Sequence, residues 1–242
     1  MHLHIIIRYA LCLPFFLLPL LAPSSAQANQ RAPLVFSRQT GTFDDAGENL
    51  LREAYQRIGI GVKATVLPGE RGLVLANHGQ TDGELNRIAG LERDYHNLVM
   101  VPVPLSTIEA VALVRNTRFK VADWESLKGR EIGIRLGTKF AEKGTKGMKV
   151  SAVAQYPALL KMLELGRIDV VVGSRSTLQA ELQKMRDEGD AEMATNLSIL
   201  EPPIDNIKTY HYLHIKHKAL LPEITKALNE VVSEQKKHTP PN

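Results

Sequence analysis

The chain has 242 residues, with 30 Lys and Arg against 26 Asp and Glu, a hydrophobic content of 44% and one cysteine. A net charge of +4 with acids and bases interspersed makes no case for nucleic acid, which needs cations gathered into a patch or an arm. A lone cysteine permits no internal disulfide, and the length suffices for one large domain or two small ones with real cores.

The first 28 residues read as a secretory signal. Arg8 closes a short positive segment, Tyr9 to Leu21 is almost wholly apolar, and Ala26-Gln27-Ala28 is a small-x-small cleavage site. The apolar run is short for a membrane anchor, is broken by Pro14 and Pro19, and meets a cleavage site rather than a charged stop. Cys12 follows Leu11, a residue too bulky to suit lipoprotein processing. Removing 28 of the 242 residues leaves 214, with no thiol, so the core alone must hold the exported chain together.

Beyond the signal, strand and helix patterns alternate. Pro33 to Ser37 reads as a buried strand and Ala46 to Ile58 as a helix with Leu50, Leu51, Ala54, Tyr55 and Ile58 on one face. Asp44 or Asp45 is placed to cap that helix by accepting from the free amides of its first turn. Val62 to Leu67 is a second strand, Gly69 to Asn77 a second helix, and Asp82 opens a third element, an order that implies a mainly parallel sheet covered by helices. Val101-Pro102-Val103-Pro104-Leu105 is too proline-rich for a central strand, whereas Ile108 to Val114 is extended and apolar; this stretch reads as a first crossing between two lobes. The design then repeats, with strands at Glu131 to Arg135, Val150 to Ala154 and Asp169 to Val172, and helices at Tyr156 to Leu165 and Ser176 to Arg186. A return crossing near Pro202-Pro203, a strand at Tyr210 to Ile215 and a closing helix at Pro222 to Gln235 complete the pattern.

Two segments echo each other. Ala76 to Leu85 reads ANHGQTDGEL and Leu163 to Val172 reads LELGRIDVVV, each an apolar run that stops at a glycine three residues before an aspartate. Gly79 and Gly166 fit helix C-caps, where glycine enters the left-handed conformation without steric cost. Asp82 and Asp169 fit caps or strand starts better than ligand contacts.

The order of these elements, with Trp124-Glu125-Ser126-Leu127-Lys128-Gly129-Arg130-Glu131-Ile132-Gly133-Ile134-Arg135-Leu136-Gly137-Thr138 and the segment LLKMLELGRIDVVVGS, resembles the bacterial extracellular solute-binding proteins of family 3. The resemblance implies an α/β, two-lobed periplasmic-binding-protein-like fold (type II), each lobe a mainly parallel sheet flanked by helices. It places lobe 1 at residues 29–108 plus 208–242 and lobe 2 at 109–207, and implies a monomeric periplasmic protein without cofactor, serving an inner-membrane ABC permease or a sensor in amino acid transport. Two departures bear on the ligand. The loop Arg38 to Asp44 is short and lacks the family's Pro-Phe pair, and the family's acidic group for a ligand ammonium falls near Gly173 or Ser174, neither of them acidic, which leaves Glu84 of the other lobe as a source of negative charge.

In open α/β sheets the ligand sits beyond the carboxyl ends of the strands. Those positions hold Arg38, Glu70-Arg71, Glu84 to Arg87, Arg135 to Lys139 and Gly173 to Arg175. The expected ligand contacts are Arg71, Glu84, Arg87, Arg135, Thr138, Ser174 and Arg175; Arg93 competes with Arg87 for a ligand carboxylate. A guanidinium is a planar fork of donors that fits a carboxylate or phosphate, so the recurrence of arginine favours an amino acid or organic acid. Gly137-Thr138 lies where a strand meets a helix, and its amides are expected to face outward. Arg87 with Glu84, and Arg71 with Glu70 or Glu48, equally fit plain ion pairs.

The remaining chemistry is thin. His211, His214 and His217 form no zinc set, since a strand points the first two to opposite faces; they read as surface or hinge histidines. The lysines at 139, 143, 146 and 149 read as a solvated loop face. The chain lacks a nucleophile elbow, a zincin motif and a phosphate-cradling loop, so an enzyme is not expected. Two rivals stand beside solute binding: a periplasmic enzyme on the same scaffold, resembling cyclohexadienyl dehydratase, and a ligand-free module that recognises a partner.

Overall fold

The computed structural model describes residues 31–39, 45–116 and 119–238. The signal segment, Cys12 and the Asp44 cap lie outside the described residues, as does the side chain of Asp45.

The first half runs β1 (Arg31–Gln39), α1 (Asp45–Arg57), β2 (Ile60–Leu67), α2 (Gly69–Asn77) and β3 (Gly83–Ile88), then a 3-10 turn at Leu91–Arg93 and the long β4 (Leu98–Arg115). A 3-10 turn at Trp124–Leu127 leads to β5 (Ile132–Arg135), α3 (Lys139–Gly144), β6 (Val150–Val153), α4 (Tyr156–Glu164), β7 (Val170–Ser174), α5 (Arg175–Asp187), α6 (Ala191–Thr195) and β8 (Leu197–Ile199). The chain returns through β9 (Asp205–His214) and ends in α7 (Leu221–His238). The strands lie in the order β2-β1-β3-β9-β4-β7-β5-β6, with β8 beside β4. Pairing is parallel within β2-β1-β3 and within β7-β5-β6, and antiparallel where β9 and β4 join the two sets.

Burial follows the sequence periods. Leu50, Leu51, Ala54 and Tyr55 of α1 meet Ile224, Ala227, Leu228 and Val231 of α7, both sets at helical spacing, over Phe36 of β1. Val111, Leu113 and Val171 pack instead against Tyr156, Leu159, Leu160 and Leu163 of α4, and Val170 and Val172 cover the other face with Ile132 and Ile134. Each fully buried leucine contributes about 1.5–3 kcal/mol. Trp124 rests against Gly144, where a Cβ would collide with the indole, and its Nε1 donates to Asp205 Oδ2 at 3.1 Å.

The proline-rich stretch departs from expectation. Val101 to Leu105 lies inside β4, a central strand, with Val101, Val103 and Leu105 buried and Pro102 and Pro104 facing out. Pairing with β9 shifts register between Met100 and Pro104 and again between Pro104 and Ser106, so the missing proline amides fall where the ladder is already interrupted.

The echo is structural. Gly79 (φ 71°) donates to Ala76 O and Gln80 to Leu75 O, both at 3.0 Å; Gly166 (φ 65°) donates to Leu163 O at 3.1 Å and Arg167 to Met162 O at 2.9 Å, the same Schellman closure twice. Asp82 donates its amide to Val35 O at 2.6 Å and accepts from Val35 N at 2.7 Å; Asp169 treats Glu131 identically, at 2.8 Å in both directions. Asp82 thereby grips the middle of β1, and Asp169 the residue just before β5.

His211 corrects another expectation. It is fully buried rather than at the surface, donating from Nδ1 to Glu84 O at 2.8 Å and accepting the Tyr55 hydroxyl at 2.9 Å. Burial pushes its pKa down to about 4, against the opposing pull of the Glu84 carbonyl.

Candidate functional site

A cavity of about 90 Å³ lies between the two halves. Arg38, Gln39, Glu48 and Arg87 line it from the first half; Arg135, Thr138, Lys139, Tyr156 and Ser174 line it from the second. One water needs roughly 10–15 Å³ of such space, so the site has room for several waters or a small solute.

Arg87 comes from β3. Its strand pairs Glu84 with Tyr212 and Arg87 with Tyr210, so three steps on β3 match two on β9, and this bulge brings Glu84 and Arg87 together where plain alternation would part them. Arg87 donates from Nε to Glu84 Oε2 at 2.8 Å, from Nη1 to Gln39 Oε1 at 2.9 Å and from Nη2 to Gly69 O at 3.0 Å. Glu84 is 0% exposed and sits behind Arg87 rather than on the cavity wall; burial raises its pKa, and Arg87 opposes that rise. Only a residue without a side chain fits above them, since a Cβ at Gly72 would stand 2.9 Å from Glu84 Oε1.

Arg135 ends β5, buried, with its guanidinium carbon 4.9 Å from the centroid of the Tyr156 ring. The amides beyond it are engaged internally rather than facing outward: Gly137 N donates to Glu142 Oε1 at 2.7 Å and Thr138 N to Arg135 O at 3.1 Å. Ser174 caps α5, accepting from Thr177 N and donating to Thr177 Oγ1 at 2.7 Å.

The other expected contacts lie elsewhere. Arg71 is exposed on α2, Arg93 is exposed at its 3-10 turn, and neither lines the cavity. Arg175 pairs with Glu109 and with both oxygens of Glu201 at 2.6 and 2.8 Å, also off the cavity.

Several cavity residues escaped the sequence reading. Gln39 and Glu48 flank the loop after β1, and Tyr156 opens α4; Gln39 alone carried a signal, following Arg38 at a strand's carboxyl end. Glu48 accepts from Arg52 at 2.6 and 3.0 Å and stands 3.6 Å from Arg38, so it is the acid of the cavity wall among the described residues. Lys139 is no solvated loop lysine. It joins Glu70 of α2 at 2.5 Å and Glu142 at 3.1 Å, and Glu70 also receives the Tyr95 hydroxyl at 2.6 Å. Burial works to raise the Glu70 pKa, but the bonds from Lys139 and Tyr95 prevail and lower it. Among the described residues no group of three His, Cys, Asp or Glu converges to hold a metal ion.

No protein-family model matches the chain, and no curated protein matches it. Solved structures do. The arginine-bound form of a truncated ArgBP from T. maritima is similar over 82% of this chain and 95% of that one, at 18% identity and a TM-score of 0.63. An ancestral arginine-binding protein bound to glutamine is similar over 85% of this chain and 94% of its own, at 17% identity and a TM-score of 0.64. A histidine kinase sensor domain with similarity to periplasmic binding proteins is similar over 84% of this chain and 92% of its own, at 14% identity and a TM-score of 0.66. At these identities the likeness speaks for architecture, and with the strand order it establishes that the chain has the two-lobed α/β fold of periplasmic binding proteins.

Proposed function

We propose that this protein is a periplasmic solute-binding protein, not an enzyme, that captures a small carboxylate-bearing solute between lobe 1 (29–108 plus 208–242) and lobe 2 (109–207) and offers the closed form to a transporter or a sensor. The observation that carries this reading is the cavity between the halves, where the buried Arg135 stands beside Tyr156, Thr138 and Ser174, opposite Arg87. A desolvated guanidinium with hydroxyls around it suits a carboxylate, and contacts from both lobes favour the closed state. The neighbours lend support, being arginine-binding proteins and a sensor domain. The paired β4 and β9, with Thr107 opposite Lys208 and Ala110 opposite Asp205, serve as the hinge in this reading. Export follows from the first 28 residues, with cleavage after Ala28, which N-terminal sequencing of the exported protein tests.

Thermal-shift screening against acidic amino acids, dicarboxylates, aromatic acids, arginine and glutamine tests the capture. A solute at a hundred times its dissociation constant stabilises by about 2.7 kcal/mol, which raises Tm by roughly 5–10 °C in a chain of this size. Arg135→Gln is expected to abolish that rise. Consumption of the solute overturns this reading in favour of an enzyme, and no shift across the panel overturns it in favour of a partner module.

A further inference from the structure

Gln39, the last residue of β1, spans the cleft. Its Oε1 accepts from Arg87 Nη1 at 2.9 Å, and its Nε2 faces the carbonyl oxygen of Gly137, in the second half, at a longer 3.5 Å. One carboxamide thus gives Arg87 the planar oxygen that a carboxylate would offer and extends a donor to the opposite lobe. The backbones meet beside it: a Cβ at Gly69 would stand 2.8 Å from both Gln39 Nε2 and Gly137 O, and one at Gly137 would stand 2.8 Å from Glu70 N. The Lys139 to Glu70 pair ties the same rim.

We propose that Gln39 is a specificity-determining residue of the capture site, an internal stand-in that occupies Arg87 and clasps Gly137, so that the lobes rest partly closed without solute and an incoming carboxylate is read by Arg135. The Arg135 half rests on the capture reading above; the clasp does not. Arg87 already serves Glu84, Gln39 and Gly69, and a solute that displaced Gln39 would have to replace its bond to Arg87 and its reach to Gly137 together. Arg87 is then a positioning residue. Solutes with a single carboxylate are favoured over those that need two guanidiniums, for as long as Gln39 holds its place.

Two variants separate the roles. Gln39→Ala takes the Gln39 oxygen from Arg87 Nη1 and releases Gly137; Gln39→Glu keeps Arg87 occupied but sets a carboxylate against the Gly137 carbonyl, with no donor between them. The exported chain has no cysteine, so spin labels at Lys63→Cys and Lys184→Cys, both exposed positions, report the distance between halves in solute-free protein. The wild-type background is expected to give one short distance, and both variants a longer population. Titration with succinate and glutarate is expected to show at least a tenfold gain in affinity for Gln39→Ala and none for Gln39→Glu, with Tm confirming that each variant folds. Unchanged distances in both variants overturn the clasp, and equal gains in both overturn the role at Arg87. If no carboxylate binds any of these proteins, the capture reading falls and takes the Arg135 half with it, whereas the distances still decide the clasp.

Discussion

The two Gly-x-x-Asp units share one backbone design and differ in what has grown onto it. In the second half Asp169 is exposed and, among the described residues, serves only the Glu131 peptide. In the first, Asp82 is 17% exposed and also accepts His217 Nε2 at 2.6 Å and Lys216 Nζ at 2.9 Å, from the 3-10 turn that leads into α7. Burial alone would raise the Asp82 pKa, but the Val35 amide, His217 and Lys216 bring it below the usual value. The same local solution thus serves one half simply and, in the other, also fastens the segment after the return crossing. The cores differ in the same sense, since only the first holds a buried histidine.

Acid should divide the halves most. The folded pKa of His211 lies near 4 against an ordinary 6.5, so the native state binds fewer protons than the unfolded chain between those values. Stability tied to the neutral imidazole is therefore whole above pH 6.5 and is lost as pH falls through about 4, at a total of about 3 kcal/mol. Hydrogen exchange at pH 4.5 is expected to show β1, α1 and β9 losing protection before β5 and β7; simultaneous loss would remove the distinction.

Asp82→Ala comes next, at about 2–3 kcal/mol by denaturant unfolding, because it strands the Val35 amide and leaves Lys216 and His217 without their carboxylate. Asp169→Ala, exposed and with one partner, is expected to cost about 1 kcal/mol. Equal costs would show that the added partners of Asp82 contribute nothing. The glycines sharpen the comparison further. Gly166→Ala meets open space and carries only the left-handed backbone cost of about 1 kcal/mol, whereas Gly79→Ala also places a Cβ 3.1 Å from the His214 ring and is expected to lower Tm more.

Much of this architecture was legible because it is local. Gly79, Gly166, Asp82 and Asp169 act on their own turns and neighbouring strands, and the predicted helix from Gly69 to Asn77 matches α2 to the residue. Prolines misled where tertiary pairing absorbed them: Pro102 and Pro104 keep strict alternation with Val101, Val103 and Leu105, a pattern that outweighs two missing donors. Burial of His211 was hidden because its partners, Tyr55 and the Glu84 carbonyl, are distant in sequence. The cavity was half visible. Strand ends pointed to Arg87, Arg135, Thr138 and Ser174, but the bulge that joins Glu84 to Arg87 leaves no mark in composition. Arg71, Arg87 and Arg175 look alike as residues, and only the surroundings distinguish an exposed helix position, a cavity wall and an ion pair with Glu109 and Glu201.

Trp124, settled against Gly144 and tied to Asp205, is the only indole in the chain. Light at the red edge of protein absorbance excites it alone, so its emission colour follows the second half, whereas tyrosine absorbance mixes Tyr55, Tyr95, Tyr210 and Tyr212 of the first half with Tyr156 of the second. The molecule therefore carries one optical channel of its own, and the loosening of the second half is readable without any dye.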